Sequence, residues 1–392
     1  MDNFIYHNYT KIVFGKDTEE QVGALTAKLG DKVLLHYGGG SIKKFGLYDK
    51  VVSSLQAAGV DFIELGGAQP NPRLSLVREG IALCRKEGVD CVLAVGGGSV
   101  IDSAKAIAMG VPYSGDVWDF FGKNRKAAPE TVLPIGVVLT IPAAGSETSD
   151  NSVITNEDGW AKCGGASPLL RPQFAILNPE LSYTLPFSET ANGVADMLAH
   201  VLERYFADTE GDDFTDRLCE AAMRSILYLG PQVKRDPNNY NLRANLVWAG
   251  CSAHGGYLGV GRGSRKGREG DWGSHGLEHP LSAHYDIAHG AGLAIVFPAW
   301  MKHVYPSHLP RFIQLAQRVF DVDLPMEDPD AIVLEAIRRL EAFFKQLELP
   351  TRLSELGIDD AKFTEIAEQI APLGMFHKLE KEDIVAVYRL AL

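Results

Sequence analysis

Residues 91–108 read CVLAVGGGSVIDSAKAIA, which combines a strand, a glycine turn and the start of a helix. Every residue of the run 91–95 is apolar, and Gly96, Gly97 and Gly98 follow it directly. A strand that is apolar throughout is buried on both faces, which is typical of a parallel sheet covered by helices. This stretch therefore predicts an α/β fold.

The same alternation extends to both sides of that stretch. Apolar runs at 32–37, 62–65 and 133–139 predict further strands, and segments with helical spacing at 47–58 and 74–87 separate the first three of the predicted strands. Buried-type strands separated by helices are typical of parallel α/β sheets. The first half of the chain is thus predicted to be a Rossmann-like parallel-sheet domain.

The second half has a different pattern, because strand-like runs become rare after about Tyr183. Long segments with helical spacing take their place, at 189–206, 214–228, 242–254, 309–320, 329–346 and 380–390. A proline ends the segment 181–186, so we predict a sheet domain at 1–183 and an all-helical domain at 184–392. A cleft between two such domains is a usual place for a ligand.

Composition and charge limit the kinds of partner. The 392 residues are 46% hydrophobic and 22% charged, which are globular proportions. The net charge of −12 gives no electrostatic footprint for nucleic acid or an anionic membrane. We find no secretory pattern, no run of 18 apolar residues and no C-x-x-C pair among the five cysteines. These features predict a cytoplasmic protein that acts on small molecules.

Two glycine loops are candidate anion sites. Gly97, Gly98 and Ser99 open a helix, where close backbone approach and the helix dipole stabilise phosphate, although a simple turn is the alternative. The loop 38–41 follows the strand 32–37, where NAD-preferring folds usually place a carboxylate that holds the ribose. That segment has none, and two lysines lie nearby, so the pattern favours NADP over NAD, with a simple turn as the alternative.

A candidate metal site begins with Asp196 and His200, which lie four residues apart on a predicted helix with Ser188 as its N-cap. The pair alone could be a structural hydrogen bond. Four histidines lie within 15 residues: His275, His279, His284 and His289. Such a concentration strengthens the metal interpretation, and the alternative is that the four histidines have no common function. Two of them with the Asp–His pair would form a mixed N/O set that suits Fe²⁺ or Zn²⁺.

One competing motif lies in the same stretch. His275, Glu278 and His279 match the H-x-x-E-H pattern of zinc peptidases. That interpretation needs a regular helix through both histidines, and Pro280 disfavours helical conformation at His279. It also leaves the glycine loops and the Asp–His pair without a role, so we disfavour it.

Together these motifs resemble the iron-containing (group III) alcohol dehydrogenases over nearly the whole chain. The resemblance is strongest to the NADP(H)-dependent, butanol-dehydrogenase-like branch, through YGGGSIKKFG at 37–46, VGGGSVIDSAKAIA at 95–108, the TIPAAGSETS segment at 140–149 and GDWGSHGLEHPLSAHYDIAHGAGLA at 270–294. It implies a dehydroquinate-synthase-like architecture and a homodimer. It also implies metal-dependent, NADP(H)-linked interconversion of short-to-medium primary alcohols and aldehydes.

The resemblance also implies roles for individual residues. In that family the metal is bound by an Asp and a His four apart and by two His 14 apart, which here are Asp196, His200, His275 and His289. His279 matches an additional active-site histidine and is the candidate proton relay. The positions expected to contact the cofactor are Gly39, Gly40, Ser41, Gly97, Gly98, Ser99, Asp102, Thr140 and Lys162.

The sequence departs from the usual pattern of that family at two places, and two functions other than alcohol dehydrogenase are considered. The basic, glycine-rich run 259–270 looks longer than usual and is expected to be a solvated loop, with a lid or phosphate contact as the alternative. Gly273 and Ser274 stand where Ala-Thr is usual. One rival is a dehydroquinate-synthase or glycerol-phosphate-dehydrogenase relative, which would need several Lys or Arg for an anionic substrate. The other is a non-catalytic metal- or nucleotide-binding protein.

Overall fold

The computed structural model of the protein describes residues 1–123, 125–143, 145–209, 211–262 and 269–392. They form two compact units. The sheet unit comprises His7–Pro186 and Asn238–Cys251, and the helical unit comprises Met1–Tyr6, Phe187–Pro237 and Ser252–Leu392. The division near residue 186 lies close to the boundary expected from sequence. Two segments differ from that expectation, because residues 1–6 pack with the helical unit and residues 238–251 pack with the sheet unit.

The sheet unit is built on six parallel strands, which confirms the predicted α/β fold. Their order across the sheet is β1-β8-β5-β4-β2-β3, and β6 and β7 form a separate antiparallel hairpin. The strands are β1 (Lys11–Phe14), β2 (Lys32–Tyr37), β3 (Asp61–Leu65), β4 (Cys91–Gly96), β5 (Ile135–Leu139), β6 (Asn151–Asn156), β7 (Ala161–Ala166) and β8 (Phe174–Leu177).

Successive residues of the central strands point into two hydrophobic cores. Leu34 and Val92 lie in one core, and their chain neighbours Val33 and Leu93 lie in the other. This alternation explains why these strands are apolar at every position. The helices on the two faces are α1 (Val22–Thr26), α2 (Ser41–Lys44), α3 (Leu47–Ala57), α4 (Leu74–Glu87) and α5 (Gly98–Gly110).

The helical unit contains the remaining helices, except that most of α8 belongs to the sheet unit. They are α6 (Phe187–Tyr205), α7 (Asp213–Arg235), α8 (Tyr240–His254), α9 (Gly273–Tyr285), α10 (His289–Val304), α11 (Leu309–Arg318), α12 (Pro329–Gln346), α13 (Phe363–Ile370) and α14 (Lys381–Leu390). No helix in the described part of the chain is long and apolar enough to cross a membrane.

Two local expectations were wrong. Helix α6 begins at Phe187, directly after Pro186, so Ser188 lies inside the first turn and is not the N-cap. Helix α9 continues through Pro280, which we expected to interrupt it. Burial of Leu277 and Leu281 on this helix, both fully shielded from solvent, outweighs the local preference of the residue before a proline.

Candidate functional site

The candidate metal site is built on one face of α6. Asp196, His200 and Glu203 follow one another at helical spacing, and all three are buried. His200 Nδ1–H donates to the backbone oxygen of Asp196 over 2.8 Å, a bond between successive turns of the helix. The same nitrogen lies 3.0 Å from Asp196 Oδ1, so Nε2 is the ring nitrogen that would be available to a metal.

Helix α9 brings His275 against this face. Its Nδ1–H donates to Glu203 Oε1 over 3.0 Å, and its Nε2 lies 3.9 Å from Asp196 Oδ1. The backbone N–H of His275 donates to the same Glu203 oxygen, which ties the first turn of α9 to α6. The imidazole is therefore oriented so that its second nitrogen faces the Asp196 carboxylate.

Helix α10 begins with His289 and completes the cluster. His289 Nδ1–H donates to Glu278 Oε2, and His289 Nε2 lies 3.8 Å from Asp196 Oδ1. The backbones of α6 and α10 pack closely here, since a Cβ on Gly290 would lie 2.1 Å from the Asn192 oxygen. The Nε2 atoms of two histidines from different helices thus converge on one carboxylate oxygen.

These atoms fit a divalent transition metal. Ligand atoms of Asp196, His200 and His275 lie within 4.8 Å of one another. Asp196 Oδ1 and His275 Nε2 are both buried without a hydrogen-bond partner, which is costly unless something else pairs with them. One carboxylate with imidazole nitrogens is a donor set that suits Fe²⁺ or Zn²⁺.

The electrostatics of the cluster favour a positive charge. Burial opposes ionisation of Asp196, but the nearby imidazoles of His200, His275 and His289 outweigh it and hold the pKa of the carboxyl well below its usual range. Burial likewise opposes protonation of His275, but its contacts with Asp196 and Glu203 outweigh it and raise the pKa to about 9. The site attracts cations, as a metal site must.

The other two histidines of the cluster occupy different positions. The ring centre of His279 lies 5.6 Å from that of His289, and ligand atoms of Glu278, His279 and His289 form a second group within 4.8 Å of one another. His284 belongs to neither group in the described part of the chain. The structure therefore places His279 beside the candidate metal site.

Glu203 and Glu278 are the residues that sequence reasoning did not assign to this site. Glu203 lies three residues after His200, a spacing that could have pointed to it. Glu278 was considered only as part of the peptidase pattern, and our argument that Pro280 breaks this pattern was wrong because α9 is continuous. Glu278 is fully buried and accepts from His289 and from the hydroxyl of Ser282.

The glycine turn after β4 is closed to side chains. A Cβ on Gly96 would lie 2.4 Å from Val100, and a Cβ on Gly97 would lie 2.9 Å from Ile141. Gly97 is the extended N-cap residue of α5 and has no side chain to cap the helix. The first N–H groups of α5 therefore depend on another acceptor, as in phosphate-binding turns.

The other predicted cofactor contacts lie in the same unit. Thr140 follows β5, and its backbone N–H donates to the Gly96 oxygen over 3.0 Å, which places it at the glycine turn. Asp102 accepts from Ser146 and from the backbone of Val153, so its two oxygens bind neighbouring chain segments. Burial raises the pKa of Asp102 despite the nearby Lys105. The last predicted contact is Lys162, which donates to Asn71 over 2.9 Å.

The loop at the end of β2 has a carboxylate neighbour that the sequence did not reveal. A Cβ on Gly39 or Gly40 would meet nothing within 4 Å, and Ser41 begins α2. Glu64 of the adjacent strand β3 lies 3.2 Å from Lys43 and accepts hydrogen bonds from two tyrosines, Tyr37 and Tyr48. The segment at the end of β2 itself contains no carboxylate, and the adjacent strand β3 supplies one.

Comparison with known proteins supplies the family. The profile described as "Iron-containing alcohol dehydrogenase" matches residues 9–179, and that described as "Fe-containing alcohol dehydrogenase family, C-terminal" matches residues 190–392. The chain belongs to the iron-containing alcohol dehydrogenases. This confirms the resemblance on which the residue roles were based, and it makes the chain an alcohol/aldehyde oxidoreductase of butanol-dehydrogenase type.

Individual family members match over their full length. The chain is 43% identical to a probable NADH-dependent butanol dehydrogenase 1 of Bacillus subtilis (strain 168), covering 100% of both proteins. It is 35% identical to the NADPH-dependent aldehyde reductase YqhD of Escherichia coli (strain K12), covering 98% and 97%. The crystal structure of an NADH-dependent butanol dehydrogenase A from Thermotoga maritima superposes with a TM-score of 0.94 at 41% identity, covering 100% and 99%.

Membership of the iron-containing alcohol dehydrogenases implies a nucleotide cofactor and a divalent metal, and it leaves the choice between the two nicotinamide nucleotides open. The assignment of ligands and cofactor contacts to individual residues remains a prediction. The central part of the basic run 259–270, residues 263–268, lies outside the described residues, so its expected role as a solvated loop or lid also remains a prediction.

Proposed function

We propose that this enzyme reduces short-to-medium aliphatic aldehydes to primary alcohols, and catalyses the reverse oxidation, with NADP(H) and a bound Fe²⁺ or Zn²⁺ ion. The metal ligands are Asp196, His200, His275 and His289. One observation carries the proposal: the Nε2 atoms of His275 and His289 lie 3.9 and 3.8 Å from the same oxygen of Asp196. The names of two relatives, butanol dehydrogenase and aldehyde reductase, support the substrate class.

The chemistry divides between the metal and the side chains around it. When bound, the metal polarises a carbonyl and stabilises negative charge on the substrate oxygen. Asp196 would supply the anionic ligand, and the Nδ1 bonds of the three histidines would leave their Nε2 atoms available to the cation. Aldehyde reduction also needs a proton at oxygen, and His279, beside His289, supplies it.

The glycine turn Gly97-Gly98-Ser99 binds the cofactor pyrophosphate at the N-terminus of α5. Two features support this role: a Cβ at Gly97 would lie 2.9 Å from Ile141, and Gly97 offers the first N–H groups of α5 no side-chain acceptor. Thr140 lines the same turn through its bond to Gly96. Asp102 and Lys162 complete the set of contacts that the family resemblance implies.

NADP(H) is the proposed hydride carrier because the loop at Gly39 has open space for a 2′-phosphate and carries Lys43 and Lys44. NADH is the second candidate, since the names of several relatives say NADH-dependent and Glu64 pairs with Lys43. Oxidation of NADPH and NADH with butanal, followed at 340 nm, separates the two. A higher kcat/KM with NADPH supports the proposal, and a higher value with NADH overturns this part of it.

The activity itself is tested with the same assay. Protein supplied with Fe²⁺ or Zn²⁺ should consume reduced cofactor only when an aldehyde is added, and chelation should abolish the reaction. Absence of turnover across a series of C2 to C8 aldehydes with either metal contradicts the proposal. We further propose that the enzyme is a cytoplasmic homodimer. Size-exclusion chromatography with light scattering tests the number of chains in the assembly.

A further inference from the structure

Two glutamates, Glu203 and Glu278, contact the candidate metal site without belonging to its ligand set. Both side chains are fully buried. Glu203 Oε1 accepts from His275 Nδ1 over 3.0 Å, and Glu278 Oε2 accepts from His289 Nδ1. Each glutamate thus binds the nitrogen of a candidate ligand that points away from the metal position.

The three histidines are consequently not equivalent. His200 Nδ1 donates to the backbone oxygen of Asp196 over 2.8 Å and lies 3.0 Å from Oδ1 of the same residue, so its outer nitrogen faces a member of the candidate ligand set itself. His275 and His289 donate to carboxylates, and a charged acceptor makes a shorter and stronger bond than a neutral one. A hydrogen bond to a carboxylate also makes the opposite ring nitrogen a better electron donor.

Serine hydroxyls hold both glutamates in place. Ser274 Oγ donates to Glu203 Oε1 over 2.6 Å, and Ser282 Oγ donates to Glu278 Oε1. There is little room for Glu278 to move, because a Cβ on Gly292 would lie 2.7 Å from its Cγ. The carboxylates are therefore fixed in position before any ligand binds.

The charge of these side chains is costly unless a cation offsets it. Three carboxylates, those of Asp196, Glu203 and Glu278, are buried around the same group of imidazoles. A buried carboxylate costs on the order of several kcal/mol of desolvation unless it is paired. A glutamine would fill the same space and still accept from Nδ1–H. The retention of charge is thus explained if the carboxylates act on a metal.

We propose that Glu203 and Glu278 are positioning residues for the metal, which fix the Nδ1–H forms of His275 and His289 and strengthen their Nε2 atoms as ligands. This inference rests on the proposed metal centre. Glu278 is the cleaner test of the two, because Glu203 also accepts from backbone N–H groups at the start of α9. Substitution of Glu203 would disturb that helix directly.

The test compares Glu278→Gln and Glu278→Ala with wild type. Zn²⁺ affinity is measured by competition with a chromogenic chelator, and NADPH affinity by fluorescence. We expect about 10-fold weaker Zn²⁺ binding in Glu278→Gln, which loses charge but keeps an acceptor, and about 100-fold in Glu278→Ala. NADPH affinity should stay within twofold of wild type, since the predicted nucleotide contacts lie in the sheet unit.

Thermal unfolding separates this role from a merely structural one. With chelator present, Glu278→Gln should unfold at or above the wild-type temperature because a buried charge is gone, while its stabilisation by added Zn²⁺ should be smaller. Glu220→Gln is the matched control, because Glu220 is a buried carboxylate of the same unit bound to Tyr205 and Arg318. It should bind Zn²⁺ as wild type does.

Each outcome is decisive. Wild-type Zn²⁺ affinity in Glu278→Gln overturns the inference and leaves the proposed activity intact. An equal loss in Glu220→Gln, or a parallel loss of NADPH binding, shows a general structural effect and also overturns it. If Glu278→Ala does not fold, the result for the isosteric Gln variant still decides. A wild-type protein that binds no metal contradicts the proposed metal centre itself.

Discussion

The candidate metal site of the helical unit and the candidate anion-binding glycine turn of the sheet unit depend on opposite features of the chain. In the cluster every important atom belongs to a side chain, such as Asp196 Oδ1 and His275 Nε2. At the glycine turn the important atoms are backbone N–H groups, and a single added Cβ at Gly97 would lie 2.9 Å from Ile141. A side-chain site is therefore visible in residue types and spacing, while a backbone site depends on the space left by its neighbours.

The largest effect is expected from His275→Ala, which removes one side chain of the candidate metal site. The variant should lose metal and at least about 1000-fold in kcat/KM, because several kcal/mol of charge stabilisation disappear with the metal. NADPH binding should persist. Metal content by mass spectrometry is the measurement, and His284→Ala, outside both candidate ligand groups of the described residues, is the control. Wild-type metal content in His275→Ala contradicts the ligand assignment.

Buried histidines in the two regions differ in their partners, and pH reveals this difference. His36 of β2 contacts only neutral partners among its hydrogen bonds, the Leu65 oxygen at 2.8 Å and Ser103 Oγ at 3.0 Å. Burial lowers the pKa of His36 to about 4, whereas the contacts of His275 with Asp196 and Glu203 raise its pKa to about 9. The pKa values of two buried histidines thus shift in opposite directions.

Because the unfolded chain binds a proton near pH 6.5 and folded His36 does not until about pH 4, stability falls as the pH drops through this window. The His36 contribution to that loss is roughly 3 kcal/mol. Urea unfolding of His36→Gln at pH 7 and pH 4 should show a correspondingly smaller decline than wild type. The exposed His7→Gln serves as control. Equal declines in wild type and His36→Gln contradict the interpretation.

Gly97→Ala tests the backbone site, because it adds a side-chain atom to the glycine turn. The added Cβ crowds Ile141, and overpacking of this kind costs about 1–3 kcal/mol, so NADPH should bind about 10-fold or more weakly while metal content is unchanged. Gly164→Ala is the matched control, since a Cβ there would meet only Val153, at 3.9 Å, and Gly164 is not a predicted cofactor contact. Isothermal titration with NADPH measures both. An unaffected Gly97→Ala variant shows that the turn does not approach the cofactor.

The smallest effect is expected from Gly39→Asp, which introduces a carboxylate into open space beside the loop. Repulsion of a 2′-phosphate by an exposed charge is worth about 1 kcal/mol, so the NADPH/NADH ratio of kcat/KM should fall about fivefold. Gly39→Asn keeps the size without the charge and should leave the ratio near wild type. An unchanged ratio in Gly39→Asp shows that this loop does not contact the ribose.

The sequence allowed the central fold to be predicted because the central strands β2, β4 and β5 are buried along nearly their whole length. The strands β2 to β5 were each expected within a few residues, as was α4. The short strands β1 and β8, of four residues each, gave no periodic signal and were missed. Pro280 was misread because a local backbone preference was outweighed by the burial of its helix, which sequence alone does not report.

The candidate site was predicted in part, since its candidate ligands were identified and the carboxylates that contact them were not. Asp196, His200, His275 and His289 stand out by type and spacing, and the structure brings them together. The carboxylates that bind their outer nitrogens did not stand out, because Glu203 and His275 are 72 residues apart and meet only through helix packing. Glu64 was hidden for a similar reason, since strand pairing places it beside the end of β2.

The most direct test of the central claim is anomalous X-ray scattering from crystals of the enzyme loaded with Zn²⁺ or Fe²⁺, recorded at the metal edge. We predict one peak per chain, about 2.0–2.2 Å from an Asp196 oxygen and from Nε2 of His200, His275 and His289. A peak centred instead on the second group of ligand atoms, Glu278, His279 and His289, would contradict the assignment. So would a metal bound away from Asp196.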